Sequence, residues 1–152
     1  MGRVVDLETL RASLDATPGR VVTTNGCFDL LHVGHLSLLR QAKALGDILV
    51  VAVNDDASVR CIKGPSRPVV PAAERAELVA ALEPVDYVVL FGEDTPERVL
   101  AAIRPDVHVK GGDYRAEDLP EARVVEENGG AVIIIPLVPG HSTTEIMRKA
   151  GT

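Results

Sequence analysis

The amino-acid sequence predicts an α/β fold built on a parallel sheet with helices on both faces. Short apolar runs recur at 21–22, 48–53, 87–91, 107–109 and 131–136. Their high content of Val and Ile, without polar alternation, is typical of strands that are buried on both faces. Helix-like stretches separate the runs, and a repeated strand–helix order indicates a doubly wound, Rossmann-like domain. We therefore expect one five-stranded parallel sheet in the order 3-2-1-4-5, with right-handed crossovers.

The predicted helices lie at 34–45, 71–83, 95–103, 117–128 and 143–150. Pro71 and Pro96 stand at the beginning of two of them, where the first turn of a helix tolerates proline. A further helix over residues 6–16 precedes the first strand. We expect a single domain over 1–152, with an N-terminal helical extension at 1–18 and the core of the domain at 20–149.

Composition restricts the classes of function. The 152 residues include 16 basic and 22 acidic ones, for a net charge of −6. This balance argues against broad binding to nucleic acids or anionic membranes, because phosphate groups attract basic surfaces. Cys27 and Cys61 have neither the spacing of a zinc site nor that of a redox motif, which favours reduced thiols. Together with the lack of a signal-like apolar segment near the N-terminus, this predicts a cytoplasmic protein without a membrane partner.

The most informative segment is TNGCFDLLHVGH at 24–35, which follows the first strand and continues into the first core helix. In a doubly wound sheet, ligands bind beyond the carboxyl ends of the strands. Gly26 and Gly34 allow the backbone to approach a ligand closely. His32 and His35 are three residues apart near a helix start, where free backbone N–H groups favour an anion. This arrangement predicts a site for phosphate oxygens.

Two other interpretations of the histidine pair remain open from the residues alone. The histidines could have a purely structural role, which is the usual one for a single histidine. They could also bind a metal, but metal sites generally need a third ligand, and no His or Cys cluster stands nearby in the sequence. We therefore expect no metal bound by the protein itself.

A loop rich in proline and basic residues, KGPSRPVVP at 63–71, follows the second predicted strand. Lys63 and Arg67 lie in this loop, and Arg75 lies on the next helix, where it could face the same cleft. A lysine suits a phosphate that shifts during a reaction, whereas an arginine binds a fixed one with two hydrogen bonds. The alternative is that these cations form ordinary solvated surface.

Two more segments follow the last predicted strands. KGGDY at 110–114 places two glycines where a ligand could approach closely, and Asp113 could bind a ribose hydroxyl or lie exposed in a simple turn. Ser142 and Glu145 have the spacing of a capping box at a helix start. The hydroxyls of 142–144 and the free N–H groups of that helix start could also bind phosphate. We assign no role to the preceding His141.

The segment TNGCFDLLHVGH resembles the HxGH motif of the cytidylyltransferase-like nucleotidyltransferases. Three further blocks are similar to one branch of that superfamily, the heptose 1-phosphate adenylyltransferases: VNDDASVRCIKGPSRPVVPAAERAELVAALEPVDYVV at 53–89, RPDVHVKGGDY at 104–114 and STT at 142–144. The resemblance spans nearly all of residues 20–149. The HxGH motif alone indicates only the superfamily, whereas the later blocks, in this order, indicate the branch.

This resemblance implies that AMP passes directly from ATP to heptose 1-phosphate, giving ADP-heptose and pyrophosphate with Mg²⁺ as cofactor. It implies catalytic roles for His32, His35 and Lys63. Nucleotide binding is expected at Asn25, Gly26, Cys27, Phe28, His35, Gly111, Asp113, Ser142, Thr143 and Thr144. Sugar-phosphate binding is expected at Asp29, Asn54, Lys63, Arg67 and Arg75. It further implies a homodimer and a separate sugar kinase that makes the acceptor.

Three alternatives remain. A cytidylyltransferase of the same superfamily, forming a CDP-alcohol from glycerol 3-phosphate, would share the HxGH motif. A non-catalytic nucleotide-binding sensor is a candidate of another class, although the intact His32, His35 and Lys63 argue against it. A redox protein with a Rossmann fold is disfavoured, because the first strand is not followed by GxGxxG.

Overall fold

The computed structural model describes residues 2–137 and 139–151, in which every strand belongs to one parallel sheet of six. The strands are β1 (Arg3–Val4), β2 (Val21–Gly26), β3 (Ile48–Asn54), β4 (Tyr87–Phe91), β5 (Val107–Gly111) and β6 (Ala131–Ile135), in the order β1-β4-β3-β2-β5-β6. The helices are α1 (Leu7–Ala16), α2 (Val33–Lys43), α3 (Asp56–Lys63), α4 (Ala72–Ala80), α5 (Glu97–Ile103), α6 (Pro120–Glu127) and α7 (Thr143–Lys149), with a 3₁₀ turn at Ala116–Asp118. Within the described ranges, no helix is long and apolar enough to span a bilayer.

The prediction of five strands is wrong by one strand, whereas the predicted order of the five core strands is confirmed. The additional strand β1 has two residues and pairs with β4 at the edge of the sheet. Two residues are too short to show the period of a strand, so the sequence pattern could not reveal it. Without β1 the order is β4-β3-β2-β5-β6, which is the predicted 3-2-1-4-5.

The N-terminal segment is part of the main fold rather than an appendage. Asp6 begins α1 as its N-cap, since its carboxylate accepts a hydrogen bond from Thr9 N–H at 2.7 Å. Leu10 is fully buried and Leu14 nearly so, in the same core as side chains of α5. The predicted helix over 6–16 is therefore confirmed, and it covers one face of the sheet.

Side chains of the buried strands alternate between two cores. On one face, α2 and α4 pack against a core that contains Val51, Val53 and Val109. On the opposite face, α1, α5 and α6 pack against a core that contains Val50 and Ala52. Helices therefore cover both faces, as predicted. The alternation also decides which face each polar residue at the strand ends points to.

The structure contains a helix, α3, where the sequence predicted no element. Asp55 begins it as an N-cap that accepts a hydrogen bond from Ser58 N–H at 2.9 Å. Lys63 is the last residue of α3, so its assignment to the loop at 63–71 is wrong. The helix has only eight residues, of which Ser58 and Val59 are buried, so it offers little apolar pattern for the sequence to show.

Replacement of Leu10 by Ala should lower the free energy of unfolding by about 2–5 kcal/mol, because it opens a cavity between α1 and the sheet. Leu78→Ala is the matched control, since half of the Leu78 side chain is exposed. We expect the control to cost less than about 1 kcal/mol. Urea unfolding of the three proteins measures both changes. Equal effects would contradict the packing of α1 into the core.

Candidate active site

A cavity of about 580 Å³ opens at the carboxyl ends of the central strands. Its lining comes from the end of β2, from β3 and β5, and from the starts of α2, α6 and α7. This is the position at which doubly wound sheets bind ligands, because the strand ends and the following helix starts leave backbone groups and loops free there. The structure thus places the cavity at the edge that the sequence predicted.

The cavity is lined from both faces of the sheet, and we name the two sets of lining residues the histidine lobe and the α6 lobe. The histidine lobe lies on the α2 face and includes His32, His35 and Gly111, which contacts α2 through Leu38. The α6 lobe lies on the other face and includes five polar or charged residues at its wall: Asn25, Asn54, Thr95, Lys110 and Glu121. Strand alternation produces the division, because His108 and Lys110 point away from the face to which Val109 points.

His32 and His35 cap the helix that they begin. His32 Nδ1 accepts a hydrogen bond from Gly34 N–H at 3.1 Å, and His35 Nδ1 accepts one from His32 N–H at 3.3 Å. The two rings are stacked with their centroids 3.8 Å apart. Since a backbone N–H can only donate, both Nδ1 atoms must be unprotonated, and the neutral rings carry their proton on Nε2. Two Nε2–H donors therefore remain for a ligand in the histidine lobe.

Both imidazoles are held in the neutral form. Burial, with a smaller contribution from the neighbouring His32, lowers the pKa of His35 to about 4. Burial, and then the proximity of His141, lowers the pKa of His32 below its usual value. Neutral rings agree with the acceptor role of both Nδ1 atoms. A ligand thus meets two hydrogen-bond donors that carry no full charge.

The chain is tightly packed around the histidines. A Cβ atom on Gly34 would lie 2.8 Å from the ring of His32 and 3.2 Å from the carbonyl oxygen of His141, so a larger residue would displace the first histidine. Phe28 adopts a left-handed conformation with φ of 48° and is buried beside His35, with ring centroids 5.2 Å apart. A sparsely populated backbone conformation of this kind is characteristic of functional sites.

Lys63 and Arg67 both line the cavity. Among the described residues, Lys63 forms no hydrogen bond or ion pair, so its ammonium is available to a ligand. Arg67 is bonded through Nε to Asp29 Oδ2 at 3.2 Å. Asp29 is nearly fully buried and also accepts hydrogen bonds from the N–H groups of Val69 and Val70. Asp29 therefore fastens the 64–71 loop to the segment that follows β2.

Arg75 does not face the cleft, contrary to the sequence expectation. Its side chain is completely buried, and it donates to the carbonyl oxygens of Cys27, Asn54 and Val70 at 2.5–2.8 Å. It also pairs with Asp56 at 2.8 Å. These bonds join the loop after β2, the end of β3 and the 64–71 loop. Arg75 therefore holds the segments behind the cavity wall together and does not line the cavity itself. Its position on α4 turns its side chain towards the protein interior.

Asn54 and Cys27 lie in the cavity wall, as the sequence predicted for binding residues. The Asn54 amide donates to Ser58 Oγ at 2.9 Å, which orients it at the end of β3. Burial raises the pKa of the Cys27 thiol, with Lys63 and Arg75 acting weakly in the opposite direction. The thiol is therefore protonated at neutral pH, and it is not an activated nucleophile.

Gly111 and Asp113, which were both predicted to bind the nucleotide, lie in different surroundings. Gly111 lines the cavity, whereas Asp113 is exposed and lies outside the described lining. Gly112, with φ of +134°, turns the chain so that Tyr114, rather than Asp113, reaches the cavity wall. The direction of a side chain after a glycine turn depends on dihedral angles that residue type alone does not determine.

The start of α7 forms the rim of the histidine lobe. Ser142 Oγ accepts a hydrogen bond from Glu145 N–H at 3.0 Å, so the predicted N-cap is confirmed. Thr143 Oγ1 donates to the Leu30 carbonyl oxygen at 3.0 Å, which fixes α7 against the loop that precedes α2. Thr144 completes the run at the cavity wall. The three hydroxyl residues therefore meet the histidine pair, although more than a hundred residues separate them in the chain.

Sequence reasoning missed the charged part of the α6 lobe. Glu121 and Lys110 line it, with Asp94 and Asp118 nearby in the same wall. His108 lies behind them, fully buried on β5. A histidine inside an apolar strand was the one available signal, because a buried polar group needs a partner. Within the described part of the chain, no three or more His, Cys, Asp or Glu side chains form a group that could hold a metal ion.

The chain is similar to known proteins over most of its length. The cytidylyltransferase-like family matches residues 23–149. The bifunctional protein HldE of Streptomyces coelicolor is 52% identical over 145 residues, which are 95% of this chain and 31% of that protein. HldE of Geotalea uraniireducens is 50% identical and covers 99% of this chain and 31% of that protein. The chain thus spans about a third of the length of these relatives.

Solved structures share the fold. The lipopolysaccharide core biosynthesis protein of Thermoplasma volcanium is 29% identical, with a TM-score of 0.64, over 80% of this chain and 98% of that chain. The pantoate–β-alanine ligase of Francisella tularensis has the same TM-score of 0.64 at only 11% identity, over 99% of this chain and 77% of that chain. At this low identity the likeness concerns the fold alone.

An NMR titration of His35 should give a midpoint near pH 4, well below the usual value of 6.5. Because the unfolded chain takes up its proton at about pH 6.5, it binds more protons than the folded state between these two values. The stability contributed by neutral His35 is therefore complete above pH 6.5 and decreases as the pH falls towards 4. This part of the pH dependence should disappear in His35→Gln. A midpoint at or above 6.5 would contradict the capped, neutral ring.

Proposed function

Because the chain belongs to the cytidylyltransferase-like family of nucleotidyltransferases, we propose that it transfers AMP from ATP to heptose 1-phosphate, giving ADP-heptose and pyrophosphate. The observation that carries this proposal is the capped histidine pair, which presents two Nε2–H donors at a helix start. Such preorganised donors stabilise charge that develops on phosphate oxygens.

The choice of acceptor depends on similarity outside the histidine motif. The blocks at 53–89, 104–114 and 142–144 resemble heptose 1-phosphate adenylyltransferases, and the relatives of about 50% identity are named bifunctional protein HldE. The Thermoplasma protein of known structure is described as a lipopolysaccharide core biosynthesis protein. A sugar phosphate as the acceptor is consistent with the three sequence blocks, with the names of the relatives and with the description of the Thermoplasma protein.

The proposed reaction is a direct displacement. An oxygen of the sugar 1-phosphate attacks the α-phosphorus of ATP in line, and the bond from that phosphorus to the bridging oxygen of pyrophosphate breaks. No covalent enzyme intermediate forms, in agreement with the protonated Cys27 thiol. Catalysis then depends on positioning and on neutralisation of charge at the phosphates. His32 and His35 donate hydrogen bonds to these oxygens, and the unpaired Lys63 supplies a positive charge.

The triphosphate has further partners in this proposal. The N–H groups at the start of α2 and the hydroxyls of 142–144 lie around the histidine lobe and can donate to phosphate oxygens. Mg²⁺ characteristically keeps several waters and binds substrate phosphates, so we expect it to enter with ATP rather than to occupy a protein cage. When bound, it neutralises charge on the triphosphate and on the leaving pyrophosphate.

The cellular setting is also part of the proposal. We place the reaction in the cytoplasm, where Cys27 and Cys61, both free in the structure, would stay reduced. A separate sugar kinase would supply the phosphorylated acceptor. The homodimer that the sequence resemblance implies belongs to the same proposal, and the molar mass of the protein in solution tests it.

Pyrophosphate release tests the function directly. We expect purified protein, offered each of four nucleoside triphosphates with heptose 1-phosphate, glycerol 3-phosphate and other phosphorylated acceptors, to give the highest kcat/KM with ATP and heptose 1-phosphate. A preference for CTP and glycerol 3-phosphate would instead indicate a CDP-alcohol-forming enzyme. Nucleotide binding without steady release in any combination would indicate a sensor.

Replacement of His32 or His35 by Ala should reduce kcat about a hundredfold to a thousandfold, because each loses one preorganised donor. Asn should be milder at either position, since its amide can still donate a hydrogen bond and its oxygen can still cap the helix. Thermal unfolding of each variant shows whether the helix cap is lost, because loss of the cap lowers the unfolding temperature. Loss of the donor alone lowers kcat and leaves that temperature unchanged. Stoichiometric zinc in the wild type that disappears from both single variants would contradict the donor role.

A further inference from the structure

At the start of α6, buried side chains carry polar atoms that have no hydrogen-bond partner within the described residues. Only 2% of the Glu121 side chain is exposed, and its Oε2 atom has no partner. His108 Nε2, also without a partner, lies 3.8 Å from this oxygen, and Lys110 Nζ lies 3.7 Å from it. Both distances are too long for hydrogen bonds. The carboxylate therefore keeps capacity to bind a further polar group.

The surroundings keep Glu121 charged and His108 neutral. Burial acts to raise the pKa of Glu121, but His108, the helix backbone and Lys110 together bring it below its usual value. Burial lowers the pKa of His108, with Glu121 acting in the opposite direction. Thr23 Oγ1 lies 2.8 Å from His108 Nδ1. A threonine hydroxyl that donates there leaves the ring proton on Nε2, on the side of Glu121.

This group faces the α6 lobe, on the opposite side of the sheet from the histidine pair. Glu121 and Lys110 form part of the cavity wall, whereas His108 lies behind them. Asn25, which faces the same lobe, also has a buried oxygen, Oδ1, without a partner. In an in-line transfer the attacking oxygen of the acceptor and the leaving pyrophosphate lie on opposite sides of the reacting phosphorus. A triphosphate in the histidine lobe leaves the α6 lobe to the acceptor.

The charges of the α6 lobe select the kind of group that it binds. Asp94, Asp118 and Glu121 all contribute carboxylates to this wall, and Lys110 contributes one ammonium. Carboxylates repel a phosphate, and the buried oxygens of Glu121 and Asn25 need a group that donates hydrogen bonds. A sugar hydroxyl fits, because it can donate to Glu121 and accept from Lys110 at the same time.

We propose that Glu121 and Lys110 bind a hydroxyl of the sugar part of the acceptor. This inference rests on the proposed sugar-phosphate transfer and names the residues that select its acceptor. The hydroxyl donates a hydrogen bond to the Glu121 carboxylate, and the Lys110 ammonium donates one to the hydroxyl oxygen. Phosphates remain with the histidine lobe and Lys63.

The test uses Glu121→Gln, which keeps the shape of the side chain and removes its charge, and Glu127→Gln as the matched control. Glu127 is on the same helix, but it is exposed and paired with Arg123. We expect Glu121→Gln to raise the KM for heptose 1-phosphate about 10- to 100-fold, the effect of losing a hydrogen bond to a charged group. The KM for ATP and the thermal unfolding temperature should stay near wild type in both variants.

Acceptor analogues that each lack one hydroxyl identify the bond. The analogue that lacks the hydroxyl bound by Glu121 should have a high KM with the wild type. The Glu121→Gln substitution should raise the KM for that analogue little further. A rise in the KM for ATP instead, with 2′- or 3′-deoxy-ATP insensitive to the variant, would assign Glu121 to the ribose and overturn the proposal. An unchanged KM for both substrates would overturn it as well.

A binding measurement separates this inference from the proposed function. If no combination of substrates releases pyrophosphate, the proposed transfer fails, while calorimetry of heptose 1-phosphate still tests the site. Binding that weakens in Glu121→Gln but not in Glu127→Gln would support the hydroxyl site. Binding that is equal in both variants, or absent in the wild type, would overturn it.

Discussion

The cap that closes the start of α2 is the interaction on which the site depends. A helix start leaves backbone N–H groups without partners, and here two of the acceptors are the Nδ1 atoms of His32 and His35. One pair of hydrogen bonds therefore begins the helix, selects the tautomer of both rings and leaves each ring, at the cavity wall, with one Nε2–H donor. Helix capping and ligand binding thus use different nitrogens of the same two rings, so replacement of either histidine by Ala removes both a cap and a donor.

Below this cap, buried charges hold the cavity walls together. Arg75 joins three segments through their carbonyl oxygens, and Asp29 gathers the N–H groups of the 64–71 loop. Each of these groups is buried among its own partners, which offsets the cost of taking a charge out of water. Lys63 differs from them, because it lines the same cavity and has no such partner in the part of the chain that the structure describes. The contrast separates side chains that build the cavity from those that can meet a ligand.

In the proposed reaction, each of the two lobes would bind part of one of two phosphorylated substrates. Alternation along β5 directs Val109 into one core and His108 and Lys110 towards the other. The sheet edge thus separates a lobe rich in hydrogen-bond donors from one rich in carboxylates. In our proposal, phosphates bind in the histidine lobe and a sugar hydroxyl binds in the α6 lobe, with the reacting phosphorus between them.

The sequence by itself determined the parallel sheet, the order of its five core strands, the helices on both faces and the cavity edge, because runs of Val and Ile and the motif at 24–35 are local signals. It also determined the Ser142 cap, which four consecutive residues specify. Only the tertiary structure decided that Arg75 lies below the cavity while Lys63 faces it, that Asp113 turns outwards, and that His108 meets Glu121. These outcomes depend on helical phase, on turn angles and on contacts between distant segments, and residue type and spacing do not encode them directly.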